Sequence, residues 1–307
     1  MHHGSNLSGR RVLVTGARGF LGSHLCTRLR AAGAEIHATS RQPRSDHLDG
    51  VRFWEADLAD SATARRIVGS VKPSVIFHLS GAVGASPNIA LVLPTYHSLL
   101  TSTVNLLVAA TEQGCDRVIL TGSLTEPFPV GPNPVARSPY AAAKTMAVSY
   151  GRMFHALYRT PVVVLRPFMT YGPAQATGKL IPSAILALLR GEAPQLASGK
   201  LQADFVYIDD IVDAFIAAAV TPGIEGASFD LGCGTLVSVR TVIQQLTTLT
   251  RSDVEPQFGA LPDRPGENEI AADVAWTSGG LNWAARTSLE GGLQQTVEWY
   301  RARLHSL

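Results

Sequence analysis

The chain is poor in cysteine and modest in charge, and it lacks any long uninterrupted apolar run; each shortage removes a class of protein from consideration. Its cysteines, Cys26, Cys115 and Cys233, are odd in number and far apart, which suits neither a disulfide framework nor a metal-ligand pattern. They read as three buried thiols in a reducing cytosol, and no metal is expected. Charged residues make up 16 % of the chain and the net charge is +2. No block of like charges forms a tail for nucleic acid or for a membrane surface. From Pro73 to Thr111 there is no Asp, Glu, Lys or Arg, yet a membrane span needs about 20 predominantly apolar residues. Here Gly81, Gly84, Pro87, Asn88, Pro94 and His97 interrupt, and the longest aliphatic run, 89–93, is five residues. A buried strand, a loop and a packed helix are expected instead, in a soluble, cytoplasmic protein. The opening Met1-His2-His3-Gly4-Ser5-Asn6 has no apolar core and does not read as a secretory signal.

What is present is alternation. Arg11-Val12-Leu13-Val14-Thr15 is a β-branched run ending at glycine, and a segment with helical spacing at Leu21, Leu25 and Leu29 follows. Further strands are predicted over 34–39, 51–54, 75–79, 117–121 and 161–165, and helices over 61–70, 99–113 and 138–158. Such alternation gives right-handed βαβ units and a doubly wound, Rossmann-type parallel sheet. At 307 residues the chain exceeds the size at which one core usually stops growing, so two lobes are expected. Residues 7–171 are assigned to a dinucleotide-binding domain. Residues 172–307 are assigned mainly to a smaller, mixed α/β substrate lobe, with some segments returning to the sheet. Helices over 181–190, 211–220 and 289–304 and a strand over 205–208 are predicted there. Prolines 127, 129, 132, 134 and 139 stiffen the approach to Tyr140.

Gly16, Gly19 and Gly22 lie between the first strand and the first helix. Small residues there let the backbone approach a pyrophosphate, and the helix amino-terminus supplies N–H donors and partial positive charge. An acidic residue ending the second strand would bind a ribose 2′-hydroxyl, whereas a basic one accepts a 2′-phosphate. The strand ends Ala38-Thr39-Ser40-Arg41 without a carboxylate, and Arg18 projects from the glycine turn. Guanidinium forks match a phosphate dianion, so NADP(H) is favoured over NAD(H). Asp57 is a candidate for the adenine edge, or else a local cap.

Tyr140 and Lys144 stand four apart on a predicted helix and share a face. A phenol has a pKa of about 10, and an adjacent cation favours its ionised form. Ser123 follows the fifth strand, and strands of one parallel sheet end on the same side, so the three can meet at a common edge. A serine hydroxyl there can hold a carbonyl while the phenol moves a proton. His24, His78 and His155 are read as structural, and Trp276, Trp283 and Trp299 as packing residues.

Several segments in this order resemble an extended short-chain dehydrogenase/reductase, in particular the NAD-dependent epimerase/dehydratase family. They are Thr15-Gly-Ala-Arg-Gly-Phe-Leu-Gly22-Ser-His24, Phe77-His78-Leu79, Tyr140-Ala-Ala-Ala-Lys144, Arg166-Pro-Phe-Met-Thr-Tyr-Gly-Pro173, Asp204-Phe-Val-Tyr-Ile-Asp-Asp210 and Arg264-Pro-Gly266. The resemblance implies Ser123, Tyr140 and Lys144 as catalytic residues. It adds Phe20, Leu21, Leu58, Leu79, Ser80, Gly81 and Pro167 to Gly16, Arg18, Gly19, Gly22, Ser40, Arg41 and Asp57 around the cofactor, with Tyr140 and Lys144 also on its ribose side. It further implies a nucleoside diphosphate sugar in the carboxyl-terminal lobe and pairing into a homodimer through the helices over 99–113 and 138–158. Leu124 and Thr125, beside Ser123, are counted with the substrate.

The chain also departs from the family pattern. Family 4,6-dehydratases carry an acidic pair right after the catalytic hydroxyl, where this chain has Leu124 and Thr125, with Glu126 one place late; dehydration is not expected. Met169, Ala203 and Leu99 stand where the family often has asparagine, arginine and asparagine. Arg264 remains as a diphosphate ligand, with Lys179, Gln202 and Met169 as further candidates for the substrate. The expectation is an NADP-dependent reductase of a nucleotide-linked 4-keto-6-deoxyhexose. The alternatives are an NAD-dependent nucleotide-sugar 4-epimerase, a reductase of a carbonyl carrying no nucleotide, and a non-catalytic dinucleotide sensor.

Overall fold

The computed structural model describes residues 7–41, 50–81, 84, 86–126, 135–263 and 269–306. The chain divides into two compact units. The first runs to Pro167 and takes in Val212–Phe229 and Gly279–Trp283; the second comprises Phe168–Ile211, Asp230–Ser278 and the chain from Ala284 onward.

The elements alternate as the periodicity requires: β1 (Arg11–Thr15), α1 (Phe20–Ala31), β2 (Glu35–Ser40), β3 (Val51–Glu55), α2 (Ser61–Val71) and β4 (Val75–His78). A helical run follows, made of a short turn at Ile89–Leu91, α3 (Val92–Thr95), a wide π-type turn at Tyr96–Thr101 and α4 (Ser102–Gln113). Then come β5 (Arg117–Thr121), α5 (Pro139–Tyr158) and β6 (Val162–Pro167). With β11 (Ser228–Leu231) these strands form one seven-stranded sheet in the order β11-β6-β5-β4-β1-β2-β3. Pairing is parallel from β6 through to β3. β4 is buried throughout, as expected for a strand covered on both faces. The order reverses between β1 and β4, and the carboxyl ends of strands at such a switch point form the usual ligand crevice of open α/β sheets.

The predicted helix over 99–113 proves longer, because Asn88 caps the turn before it by accepting from the Ala90 N–H at 2.9 Å. By length and composition Ile89–Gln113 would suffice to cross a membrane. Within the first unit its α4 portion buries Leu106, Leu107, Ala109 and Ala110 in a cluster with Ile67, Val68 and Val71 of α2. α5 begins where Ser138 accepts from the Ala141 N–H at 3.1 Å, with Pro139 in the first turn; proline is pre-organised for that position. Farther along α5, a Cβ on Gly151 would lie 2.6 Å from Leu120 of β5. That close approach seats the helix on the sheet and fixes Tyr140 and Lys144 relative to the end of β5.

The second unit contains β7 (Met169–Tyr171), α6 (Leu180–Leu189), β8 (Gln195–Leu196), β9 (Gln202–Ala203) and β10 (Phe205–Tyr207), and it shares α7 (Ile208–Val220) with the first unit. Beyond β11 lie β12 (Val237–Ser238), α8 (Val239–Thr250), β13 (Gln257–Phe258), α9 (Val274–Leu281) and α10 (Leu289–Arg301). Asp204, 1 % exposed, organises this unit by accepting the backbone N–H groups of Cys233, Gly234 and Ala272 at 2.7, 2.8 and 3.0 Å. Two expectations fail here. Cys233 is exposed, so the thiols are not uniformly buried, although burial still pushes Cys26 up to about 12. Trp276 is 57 % exposed, whereas Trp283 is packed; a regular spacing of tryptophans did not report burial.

Candidate active site

The glycine turn is built for close approach. Gly16 has φ +69°, in the left-handed region that favours glycine. A Cβ there would meet the Leu79 carbonyl carbon and the Ser80 nitrogen, both at 2.9 Å. A Cβ on Gly22 would collide with the Gly16 carbonyl oxygen and sit 2.7 Å from the Ala17 Cα. The turn after β1 is thus pressed between the first turn of α1 and the loop after β4, and backbone rather than side chain faces the crevice. A polar chain locks this arrangement. Thr103 Oγ1 donates to the Leu99 carbonyl at 2.5 Å, so it accepts from His78 Nε2 at 2.9 Å. His78 Nδ1 then accepts from Thr15 Oγ1 at 2.9 Å, and that hydroxyl oxygen receives the Leu79 and Ser80 N–H groups, both at 3.1 Å.

His78 is therefore structural and neutral; burial, followed by the field of Lys144, pushes its pKa down to about 3. Because the folded value lies below the unfolded one of about 6.5, the unfolded chain binds the extra proton. Stability is full above that value and falls by about 1.4 kcal/mol per pH unit as pH drops toward the folded value. In His78→Gln the unfolding free energy should depend on pH more weakly by about one proton across this window. Equal slopes in denaturant titrations of the two proteins would refute this.

The remaining residues expected around a cofactor lie along the same edge. Arg18 lies over the Phe53 ring at 4.4 Å, a cation–π contact that holds it at the β2–β3 side. Ser40 ends β2 and Arg41 is exposed beside it. Asp57 turns inward on its own backbone, accepting the Ala59 N–H at 3.0 Å. Asn105 of α4 clamps the same loop, donating to the carbonyls of Leu58 and Ala59 at 3.0 and 2.9 Å. Phe20 and Leu21 open α1, Gly81 follows Ser80, and Pro167 ends β6. Leu99, in place of a polar residue, is buried at 2 % and fills the space that a Cβ on Gly81 would need. The glycine cradle fits a dinucleotide pyrophosphate, since side chains are excluded where phosphate oxygens need backbone donors.

Ser123, Tyr140 and Lys144 come together in the first unit. Ser123 is 8 % exposed; its Oγ accepts the Thr125 N–H at 3.1 Å and shares a hydrogen bond with Thr125 Oγ1 at 2.8 Å, and it lies near enough to Tyr140 to act on the phenol's pKa. Lys144 is buried, donates to the Thr121 carbonyl at 2.8 Å, and places Nζ 6.0 Å from the centre of the Tyr140 ring. The expected acidification of the phenol is not found. Burial raises the Tyr140 pKa, against the opposing effect of Ser123, and Glu126 adds to the rise. Lys144 itself is pushed down to about 8 by burial, with Glu126 opposing. The pair thus rests as a neutral phenol and a cation, which is the proton-donating form.

Glu126 is the residue that sequence reasoning passed over. It is 8 % exposed, and its Oε1 accepts the Ser123 N–H at 2.7 Å. Leu124 and Thr125 are half-buried beside it. The only sequence signal was an acid within an otherwise apolar and hydroxylated turn, at a place too late for the dehydratase pattern. The second unit holds the other substrate candidates. Met169 pairs with Phe205, and Gln202 pairs with Ser238 while its N–H reaches Glu269 at 3.1 Å. Lys179 is exposed, ahead of α6. Arg264 lies outside the described residues.

The profile of the NAD dependent epimerase/dehydratase family matches residues 12–232. The chain belongs to this family. Among relatives of this epimerase/dehydratase, a UDP-glucose 4-epimerase of Mycolicibacterium smegmatis is 31 % identical over 324 residues, covering 95 % of this chain and 98 % of its own length. A dTDP-D-glucose 4,6-dehydratase of Mus musculus is 26 % identical, covering 97 % of this chain and 90 % of its own. The structure of MoeE5 in complex with UDP-glucuronic acid and NAD superposes with a TM-score of 0.85 at 31 % identity, covering 96 % of this chain and 99 % of MoeE5. The fold is that of the extended short-chain dehydrogenase/reductases, and the family acts on nucleotide sugars with nicotinamide cofactors.

Proposed function

We propose that this epimerase/dehydratase interconverts the configuration at carbon 4 of a UDP-linked hexose, using NAD held by the glycine turn. The carrying observation is the Ser123–Tyr140–Lys144 cluster beside which, among the described residues, no acid is free for elimination, because Glu126 is spent on the Ser123 amide. The similarity to a UDP-glucose 4-epimerase over nearly the whole of both chains supports the same reading. When bound, the nicotinamide supplies hydride acceptance and return at carbon 4. Ser123 hydrogen-bonds the carbon 4 oxygen; Tyr140, once its resting proton has left to solvent, takes the hydroxyl proton as the phenolate on oxidation and gives it back as the phenol on reduction. Lys144 stabilises the phenolate before that proton is taken and after it is given back.

One observation favours a second reading: Arg18, held over Phe53, together with Ser40 and Arg41, could receive the 2′-phosphate of NADP. The enzyme would then be the 4-keto-6-deoxyhexose reductase expected from the sequence. Incubating the purified protein with UDP-glucose while following nicotinamide absorbance and sugar composition separates the two. Conversion to UDP-galactose without net cofactor consumption is expected. Stoichiometric NADPH oxidation on a 4-keto substrate would replace the epimerase reading with the reductase one. Activity only on carbonyls lacking a nucleotide, or dinucleotide binding without turnover, would point to the remaining alternatives.

We also propose a homodimer working in the cytoplasm. Ile89, Leu93 and Tyr96 on the first helical run and Met146, Tyr150 and Leu157 on α5 are exposed apolar residues of the first unit, on the helices that the resemblance assigns to pairing. A monomer in analytical ultracentrifugation at micromolar concentration would remove the dimer from the proposal.

A further inference from the structure

Gly122 to Glu126 form a tight turn at the end of β5. The Glu126 N–H donates to the Ser123 carbonyl at 3.2 Å, while the Glu126 carboxylate accepts the Ser123 N–H at 2.7 Å. The residue therefore closes the turn on both sides of Ser123. The turn has no slack, since a Cβ on Gly122 would lie 2.6 Å from Glu126 Oε1 and 2.7 Å from Arg166 Cγ. A carboxylate this buried needs compensation. It comes from the Ser123 amide and from the fields of Arg166 on β6 and of Lys144 and Arg152 on α5, although burial prevails and the Glu126 pKa is raised.

The same arrangement matters to Lys144. Its ammonium is buried, and one of its bonds is to a neutral acceptor, the Thr121 carbonyl at 2.8 Å. The titratable groups around it are neutral His78 of β4, neutral Tyr140 of α5 and Glu126. Among the described residues, Glu126 is the anion that favours its charged form.

We propose that Glu126 is a positioning residue that holds the Ser123 hydroxyl in place through its amide and supplies the counter-charge for the buried ammonium of Lys144. This rests on the proposed roles of Ser123 and Lys144, but not on the identity of the sugar. One carboxylate behind the site thereby couples the orientation of the hydroxyl to the charge beside Tyr140.

The test needs no substrate. Protein labelled with 15N at the lysine side chains has four signals to assign, from Lys72, Lys144, Lys179 and Lys200, and the Lys144 titration can be followed by NMR in the wild type and in Glu126→Gln. Loss of a nearby opposite charge is worth about 1–3 pH units, so the Lys144 midpoint should fall by at least about one unit. Glu126→Asp should recover part of the shift. An unchanged midpoint in folded Glu126→Gln would overturn the proposal. If the glutamine variant does not fold, Glu126→Asp is decisive: the longer reach from Asp to Lys144 should lower the midpoint, and a midpoint equal to wild type would overturn the idea. If the lysine shifts but no nucleotide sugar is turned over, the epimerase reading fails while the role of Glu126 stands.

Discussion

Replacing Tyr140 by phenylalanine is expected to lower kcat by about 10²–10⁴-fold, the usual contribution of a positioned general acid–base. The substitution removes one oxygen and leaves the ring in its place on α5, so the packing of the helix is retained. Dinucleotide affinity should stay within about twofold, because the phosphate cradle belongs to the glycine turn on β1 and α1 rather than to the phenol. The separation of the two effects is the informative part. A variant that bound NADH normally by fluorescence titration and kept more than about a tenth of the wild-type kcat would exclude Tyr140 as the proton carrier. The pH profile adds a second reading. Burial raises the phenol and depresses the ammonium to about 8. The basic limb of kcat is thus expected where Lys144 loses its proton, below the ordinary lysine range.

The second large effect is expected at Gly22. An alanine methyl there collides with the Gly16 carbonyl oxygen and comes within 2.7 Å of the Ala17 Cα. Both neighbours are backbone, and neither can rotate away as a side chain would. Relief requires moving the glycine turn off the first turn of α1, which breaks the cradle. Overpacking of this kind costs about 1–3 kcal/mol, occasionally more, and Gly22→Ala should reach the upper part of that range in urea denaturation. Dinucleotide binding should be lost over the same concentration range that saturates the wild type. A stable variant with unchanged NAD affinity would show that the turn does not hold the pyrophosphate. Gly178, where a Cβ would meet nothing, is the matching control, and Gly178→Ala should leave both quantities near wild type.

The strands and helices of the first unit were legible because their signals are local. β1 and β5 are continuous apolar runs, α5 begins at a serine cap followed by proline, and the glycine trio sits between a strand and a helix. Boundaries moved where local rules compete. The helix over 99–113 gained its earlier turns through the Asn88 cap and a π-type turn, which no 3.6-residue pattern announces. The strand over 161–165 ran on to Pro167, although proline has no N–H to give a ladder.

The proximity of the proposed catalytic trio, too, was legible in the sequence alone. A four-residue spacing fixes Tyr140 and Lys144 on one helical face, and the order of a parallel sheet brings Ser123 to the same edge. What only the tertiary structure decided is the ionisation of these groups. Tyr140 is raised rather than lowered, Lys144 is depressed, His78 is held neutral, and Glu126 faces inward. Spacing sets direction along a chain, but desolvation and field depend on everything within several ångströms. Here those neighbours come from β4, β5, β6 and α5, which meet only when the sheet has formed.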